Sequence, residues 1–160
     1  MVRVVTVGVL CLFLAACGFH LRGQGDYRSP YQTVYVEGDS RSALVSELKR
    51  AVSASGSALA ESPAAAQAVL QVVGEFRDKS ILSLSGAGRV REYQLQYRVS
   101  YLLRDAAGRE LIAPGDILLK RAISFTEAEI LAKESEEALL YRDMESDAVQ
   151  QIMRRLSVVK

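Results

Sequence analysis

From residue 90 onward the chain alternates strictly between two kinds of side chain. Tyr93, Leu95, Tyr97, Val99, Tyr101 and Leu103 fall on one side of an extended backbone, and Glu92, Gln94, Gln96, Arg98 and Ser100 fall on the other. A helix would set Tyr93 and Leu95 on nearly opposite faces, so period two prevails and Val90 to Arg104 reads as a strand. Ala68 to Leu84, apolar and then mixed, reads as a long strand before it, joined through a hairpin turn at Gly86-Ala87-Gly88. Thr33 to Glu37 is a short β-rich run ending at Gly38-Asp39. After a turn at Asp105 to Gly108, Ile117 to Phe125 predicts a further strand, with Ile117, Leu119, Ile123 and Phe125 in phase.

Two stretches change to helical spacing. Arg41 to about Ser53 repeats Leu44, Leu48, Ala51 and Val52, with Asp39 or Ser40 as N-cap and an end near Gly56. Glu127 to Leu156 carries Leu131, Ala138, Tyr141, Met144, Ala148, Ile152 and Leu156 at three- and four-residue steps. Glu127, Glu129 and Glu134 stand early and Arg154 and Arg155 late, an order that complements the helix dipole. Ser57 to Ala66 reads as a loop punctuated by Pro63, alanine-rich enough to add a helical turn.

The order β-α-β-β-β-α predicts an α+β, two-layer sandwich. Its four-stranded, mainly antiparallel sheet is covered on one face by two helices and forms a single domain over residues 31–157. Tyr93, Tyr97 and Tyr101 read as a core layer with hydroxyls at the rim. The opposite sheet face is polar, and no predicted element covers it.

The first two dozen residues have a separate logic. Arg3 supplies a positive start, Val4 to Leu14 an apolar run, and Leu14-Ala15-Ala16-Cys17 the small residues and cysteine of a bacterial lipoprotein signal. The run is shorter than the about 20 apolar residues that span a bilayer. Residues 1–16 are therefore expected to be cleaved, Cys17 to carry covalent lipid, and residues 17–30 to be the lipidated N-terminus and tether. Each buried methylene contributes about 0.8 kcal/mol, so two or three acyl chains hold a protein at a membrane. Gly18, where aspartate would favour inner-membrane retention, points to the outer membrane of a Gram-negative envelope. Cys11 would leave with the signal, so no disulfide can form within the mature chain.

Charge adds little. The 20 basic and 19 acidic residues nearly balance, which argues against nucleic-acid binding. The single histidine, His20, lies beside the lipidation site, and no His/Cys/Asp spacing suits a metal. Asp143, Glu145 and Asp147 read as a solvated helix face. No enzyme chemistry and no cofactor are expected beyond the lipid on Cys17. Basic residues do gather near the hairpin: Arg77 and Lys79 on its first strand, Arg89 and Arg91 at the start of its second, and Lys120 and Arg121 on the next strand. Arginine forks hold phosphate and carboxylate bidentately, but exposed strands also need charge for solubility and to blunt edges.

Three groups of residues carry a resemblance to a known family: Cys17-Gly18-Phe19-His20-Leu21-Arg22-Gly23, Arg91-Glu92-Tyr93-Gln94-Leu95, and Leu131-Ala132-Lys133-Glu134 with Leu140-Tyr141-Arg142-Asp143-Met144. Their order and spacing resemble the LPS-assembly lipoprotein LptE family over essentially the whole mature chain. The resemblance implies an outer-membrane lipoprotein that plugs the large β-barrel LptD as a heterodimer and contacts lipopolysaccharide during its transport and insertion into the outer leaflet. It gives Arg77, Lys79, Arg89, Arg91, Lys120 and Arg121 a phosphate-bearing ligand. It also gives the uncovered face, with Gln94, Gln96 and Arg98, a polar barrel lumen to meet. The alternative is a general outer-membrane lipoprotein scaffold for envelope proteins that binds no lipid.

Overall fold

The computed structural model describes residues 27–126 and 129–159. The signal segment, Cys17, His20 and Glu127 lie outside the described residues. Strand β1 (Thr33–Glu37) is followed by helix α1 (Ala43–Ala54), a two-residue strand β2 (Ala58–Leu59) and a 3₁₀ turn at Pro63–Ala65. Strands β3 (Ala68–Leu84), β4 (Val90–Asp105) and β5 (Glu110–Ser124) and helix α2 (Ile130–Ser157) complete the order. The five strands form one sheet in the order β2-β1-β3-β4-β5; β1 is parallel to β2 and β3, and β3, β4 and β5 are antiparallel.

The class is the one the sequence pattern predicts, with one extra strand. β2 falls in the segment read as a loop and has no alternation of its own. It exists because its backbone finds β1: Ala58 N–H donates to Gln32 O (2.8 Å) and Ala60 N–H to Val34 O (3.0 Å). The alanine-rich stretch after it does make a helical turn. β5 begins earlier than Ile117, because Ala113-Pro114 sits at a register shift opposite Leu102 that breaks the alternation of its first half.

The start of α1 also differs from expectation. Ser42 is the N-cap, its hydroxyl accepting from Val45 N–H at 3.2 Å. Asp39 instead accepts from the Arg41 backbone N–H (2.9 Å) and side chain. Leu44, Leu48 and Val52 then repeat every fourth residue and are buried, and Gly56 leaves the helix end with φ of +90°.

The core lies between the helices and one sheet face. Leu95, Tyr97, Val99, Tyr101 and Leu103 of β4 are all buried, and Met144, Ala148, Ile152 and Leu156 of α2 pack in the same cluster. Burying each large apolar side chain contributes about 1.5–3 kcal/mol. Only the C-terminal part of α2 takes part: Leu131, placed by its spacing in the apolar stripe, is 80% exposed, because the helix begins beyond the end of the core. The tyrosine hydroxyls turn inward to partners rather than to the rim. Tyr97 donates to Glu75 Oε1 (2.9 Å), and Tyr101 accepts from Arg155 Nη1 (2.9 Å). Tyr93 is half-buried, edge-on to Phe125 with ring centres 5.3 Å apart.

The chain enters at one end of this sandwich. Ser29 N–H reaches Ser55 O (3.4 Å) at the close of α1, and Tyr27 hydroxyl meets Arg154 (3.2 Å) in the last turns of α2. The β3–β4 hairpin tip lies at the other end, where β5 finishes and α2 begins.

Candidate interaction surface

One residue sets the faces of the long hairpin. Along β3, Leu70 and Val72 oppose Leu103 and Tyr101, both core residues. The register then shifts: Gly74 opposes Ser100 and Glu75 opposes Val99, leaving Val73 as the extra residue of a bulge. From there the odd-numbered residues Glu75, Arg77 and Lys79 face the helices, and the even-numbered Phe76, Asp78 and Ser80 face away. Gly74 leaves room for the Phe76 ring, which would lie 2.9 Å from a Cβ at that position.

The helix-facing cations Arg77, Lys79 and Arg121 are engaged with α2. Arg77 pairs with Glu145, Lys79 with Glu137 (2.5 Å) and Arg121 with Asp147 (2.6 Å). Glu145 is only 4% exposed. Burial pushes its carboxyl above the usual range, while the Arg77 guanidinium pulls it back down. Glu75 joins the same network, accepting from Ser42 Oγ (2.6 Å) as well as from Tyr97. Burial, reinforced by the neighbouring Glu75, holds the Tyr97 phenol far above its ordinary value, so it remains a neutral donor. Glu145 and Asp147, read from the sequence as a solvated face, are thus the acidic half of a seam joining α2 to the sheet. Asp143 is exposed.

The six basic residues singled out by their sequence positions do not converge. Arg77, Lys79 and Arg121 lie under α2 in these pairs. Lys120 lies on the opposite sheet face, Arg89 at the hairpin turn and Arg91 two residues further on, all three exposed. Among the described residues, none of these last three has an ion-pair partner.

The face turned away from the helices is built in cross-strand rows. Phe76, Arg98 and Leu118 form one, Asp78, Gln96 and Lys120 the next, and Ser80, Gln94 and Ala122 a third. Gln96 donates to Gln94 (3.2 Å), and Ser100 donates to Asp116 (2.6 Å). This face is less polar than its β4 sequence implies, since Phe76 is 64% and Leu118 44% exposed. The bulge is why sequence reasoning passed over Phe76; a glycine inside a strand was the available signal. Gln94, Gln96 and Arg98 do stand together here, as expected from their parity.

Among the described residues, no group of three or more His, Cys, Asp or Glu is placed to hold a metal ion, and no helix is long and apolar enough to cross a membrane. Fold and surface together define a two-layer α+β sandwich with one broad sheet face turned away from its helices. The LptE lipopolysaccharide-assembly family model matches residues 31–156, and the chain belongs to that family. The LPS-assembly lipoprotein LptE of Yersinia enterocolitica is 27% identical over 155 residues, covering 96% of this chain and 74% of that protein. The solution structure of an uncharacterized lipoprotein B from Nitrosomonas europaea is 42% identical with a TM-score of 0.75, covering 88% of this chain and 90% of that one. The crystal structure of rare lipoprotein B from Shewanella oneidensis, 21% identical, shares the fold with a TM-score of 0.69 over 78% of this chain and 93% of its own.

Proposed function

We propose that this protein is an outer-membrane lipoprotein, anchored by lipid on Cys17, that seats inside the LptD β-barrel and takes part in delivering lipopolysaccharide to the outer leaflet. The observation that carries this reading is the sheet face that no element among the described residues covers. It offers Gln94, Gln96, Arg98 and Lys120 to a polar lumen, with Phe76 and Leu118 as apolar anchors among them. An isolated domain gains nothing from holding a phenylalanine in water, whereas a docked one buries it.

Lipopolysaccharide contact falls to the cations left outside the α2 seam: Arg89 and Arg91 near the hairpin tip, with Lys120 on the open face. Arg77, Lys79 and Arg121 could reach an anionic ligand only by leaving Glu145, Glu137 and Asp147. Their part in binding is therefore proposed to be indirect, through the shape of the hairpin.

The test is photocrosslinking in the intact envelope from an unnatural amino acid at Gln96, with the partner identified by mass. A single adduct with one very large barrel is the expected product. Several partners of unrelated size would instead favour a general envelope scaffold.

A further inference from the structure

Among the described residues, strand β3 past Gln71 has a neighbour on one side only. β1 pairs with Ala68–Gln71 and then departs at Gly38, while β4 accompanies β3 to Leu84. The departure is tight: a Cβ on Gly38 would meet Val45 Cγ2 at 2.7 Å and Val72 Cβ at 3.3 Å. Where β1 leaves, an open cleft of about 730 Å³ follows the β3 edge, lined by Val45, Val72, Gly74 and Phe76 with Arg41 and Glu75.

Free edges are ordinarily blunted by bulges, prolines or charges aimed at the edge. Between its first and second irregularities β3 has neither bulge nor proline: its register with β4 is continuous from Gly74 to Ile81, and the stretch contains no proline. Its cations are drawn under α2, Arg77 to Glu145 and Lys79 to Glu137. Tyr141 hydroxyl donates to a single carbonyl in the stretch, that of Asp78 (2.8 Å). These contacts hold the segment in extended form before anything binds, which lowers the ordering cost of an incoming strand. Apart from the Asp78 carbonyl, which an incoming strand would take over from Tyr141, the outward backbone donors and acceptors of this stretch have no partner among the described residues, and such a row in regular register is complementary to another extended backbone.

We propose that the edge of β3 from Glu75 to Ile81 receives an extended segment of the barrel partner by β-strand addition, in the lane that β1 vacates; this rests on the barrel partnership proposed above. An apolar side chain of that segment would lie beside Phe76 and a basic one beside Asp78.

Residue-resolved amide hydrogen exchange tests this on the full lipoprotein, free and in its purified complex with the barrel. Alternate amides within residues 75–81, those turned away from β4, are expected to slow about 100-fold or more on complex formation, while the β4-facing amides keep their rates. If the complex forms and those amides exchange as in the free protein, or the whole hairpin slows uniformly, strand addition is overturned and the barrel partnership stands. If no complex forms, the partnership itself fails and takes this inference with it. If the alternate amides are already slow in the free protein, increasingly so with concentration, a second copy of the chain occupies the edge and the barrel assignment is overturned.

Discussion

Replacing Arg77 by alanine tests whether the seam under α2 is electrostatic. Glu145 is 4% exposed and pairs with Arg77, whose own side chain is 49% exposed. Removing one partner of a fully buried pair costs about 3–5 kcal/mol. Solvent around the guanidinium screens part of that, and the lost contacts with the Tyr97 and Tyr141 rings, 5.9 and 5.3 Å from the Arg77 Cζ, restore a little. The expected loss is about 2–3 kcal/mol at pH 8, a fall of about 1–1.5 M in the urea midpoint at a slope of ~2 kcal/mol per M. The pH dependence separates charge from packing. Burial raises the Glu145 carboxyl above its ordinary value of 4.5, so the folded state holds that proton more tightly than the unfolded chain does. Its contribution to stability is therefore present below about pH 4.5 and is lost as pH rises through the elevated native value. Without Arg77 that value rises further and the loss deepens. The destabilisation by Arg77→Ala should then shrink steadily from pH 8 towards pH 5. Glu145→Gln in the Arg77→Ala background should recover most of the difference at pH 8. Urea titrations followed by circular dichroism give both numbers. A destabilisation that is the same at both pH values, with no rescue by Glu145→Gln, would refute the electrostatic account.

Other substitutions probe separate parts of the structure. Ser42→Ala removes both the α1 cap and the hydroxyl on Glu75 (2.6 Å), and should cost about 1–2 kcal/mol in thermal or urea unfolding. Ser42→Thr should keep most of that stability; Ser42→Asp should not, because it sets a second carboxylate beside Glu75. Gly38→Ala forces a methyl to within 2.7 Å of Val45 Cγ2 and should destabilise by about 1–3 kcal/mol, measured the same way. Arg91→Ala combined with Lys120→Ala touches two exposed residues and should leave stability within about 0.5 kcal/mol. In a binding assay with purified lipopolysaccharide it should weaken the interaction, more so at low ionic strength; unchanged binding at low salt would remove these cations from the contact.

Much of the fold is legible in the residues, because most of its elements are long and locally patterned. β4 announces itself by alternation, and β3 by its length together with the glycine turn that follows. What escapes is whatever depends on partners distant in sequence. Ala58–Leu59 becomes a strand only because β1 lies beside it. Ser42 prevails as the cap because its hydroxyl also reaches Glu75, thirty-odd residues away, a bond no local propensity encodes. The surface was harder to read than the fold. Parity along β4 places Gln94, Gln96 and Arg98 together, but carrying the phase of Leu70 and Val72 straight down β3 would bury Phe76 and expose Arg77. The register shift at Val73 reverses both, so the basic residues that look like a ligand cluster in the sequence are divided between an internal seam and the solvent.

That reversal ties together two properties that seem independent. Without the bulge, Val73 would pair with Ser100 in regular register and the distal half of β3 would slip by one position, turning Phe76 and Asp78 beneath the helix and releasing Arg77 and Lys79 outward. Glu137 and Glu145 would lose their counter-charges at the same stroke that the outer wall lost its aromatic ring. What clasps the helix and what meets a neighbour are thus set together by a single extra residue in the hairpin.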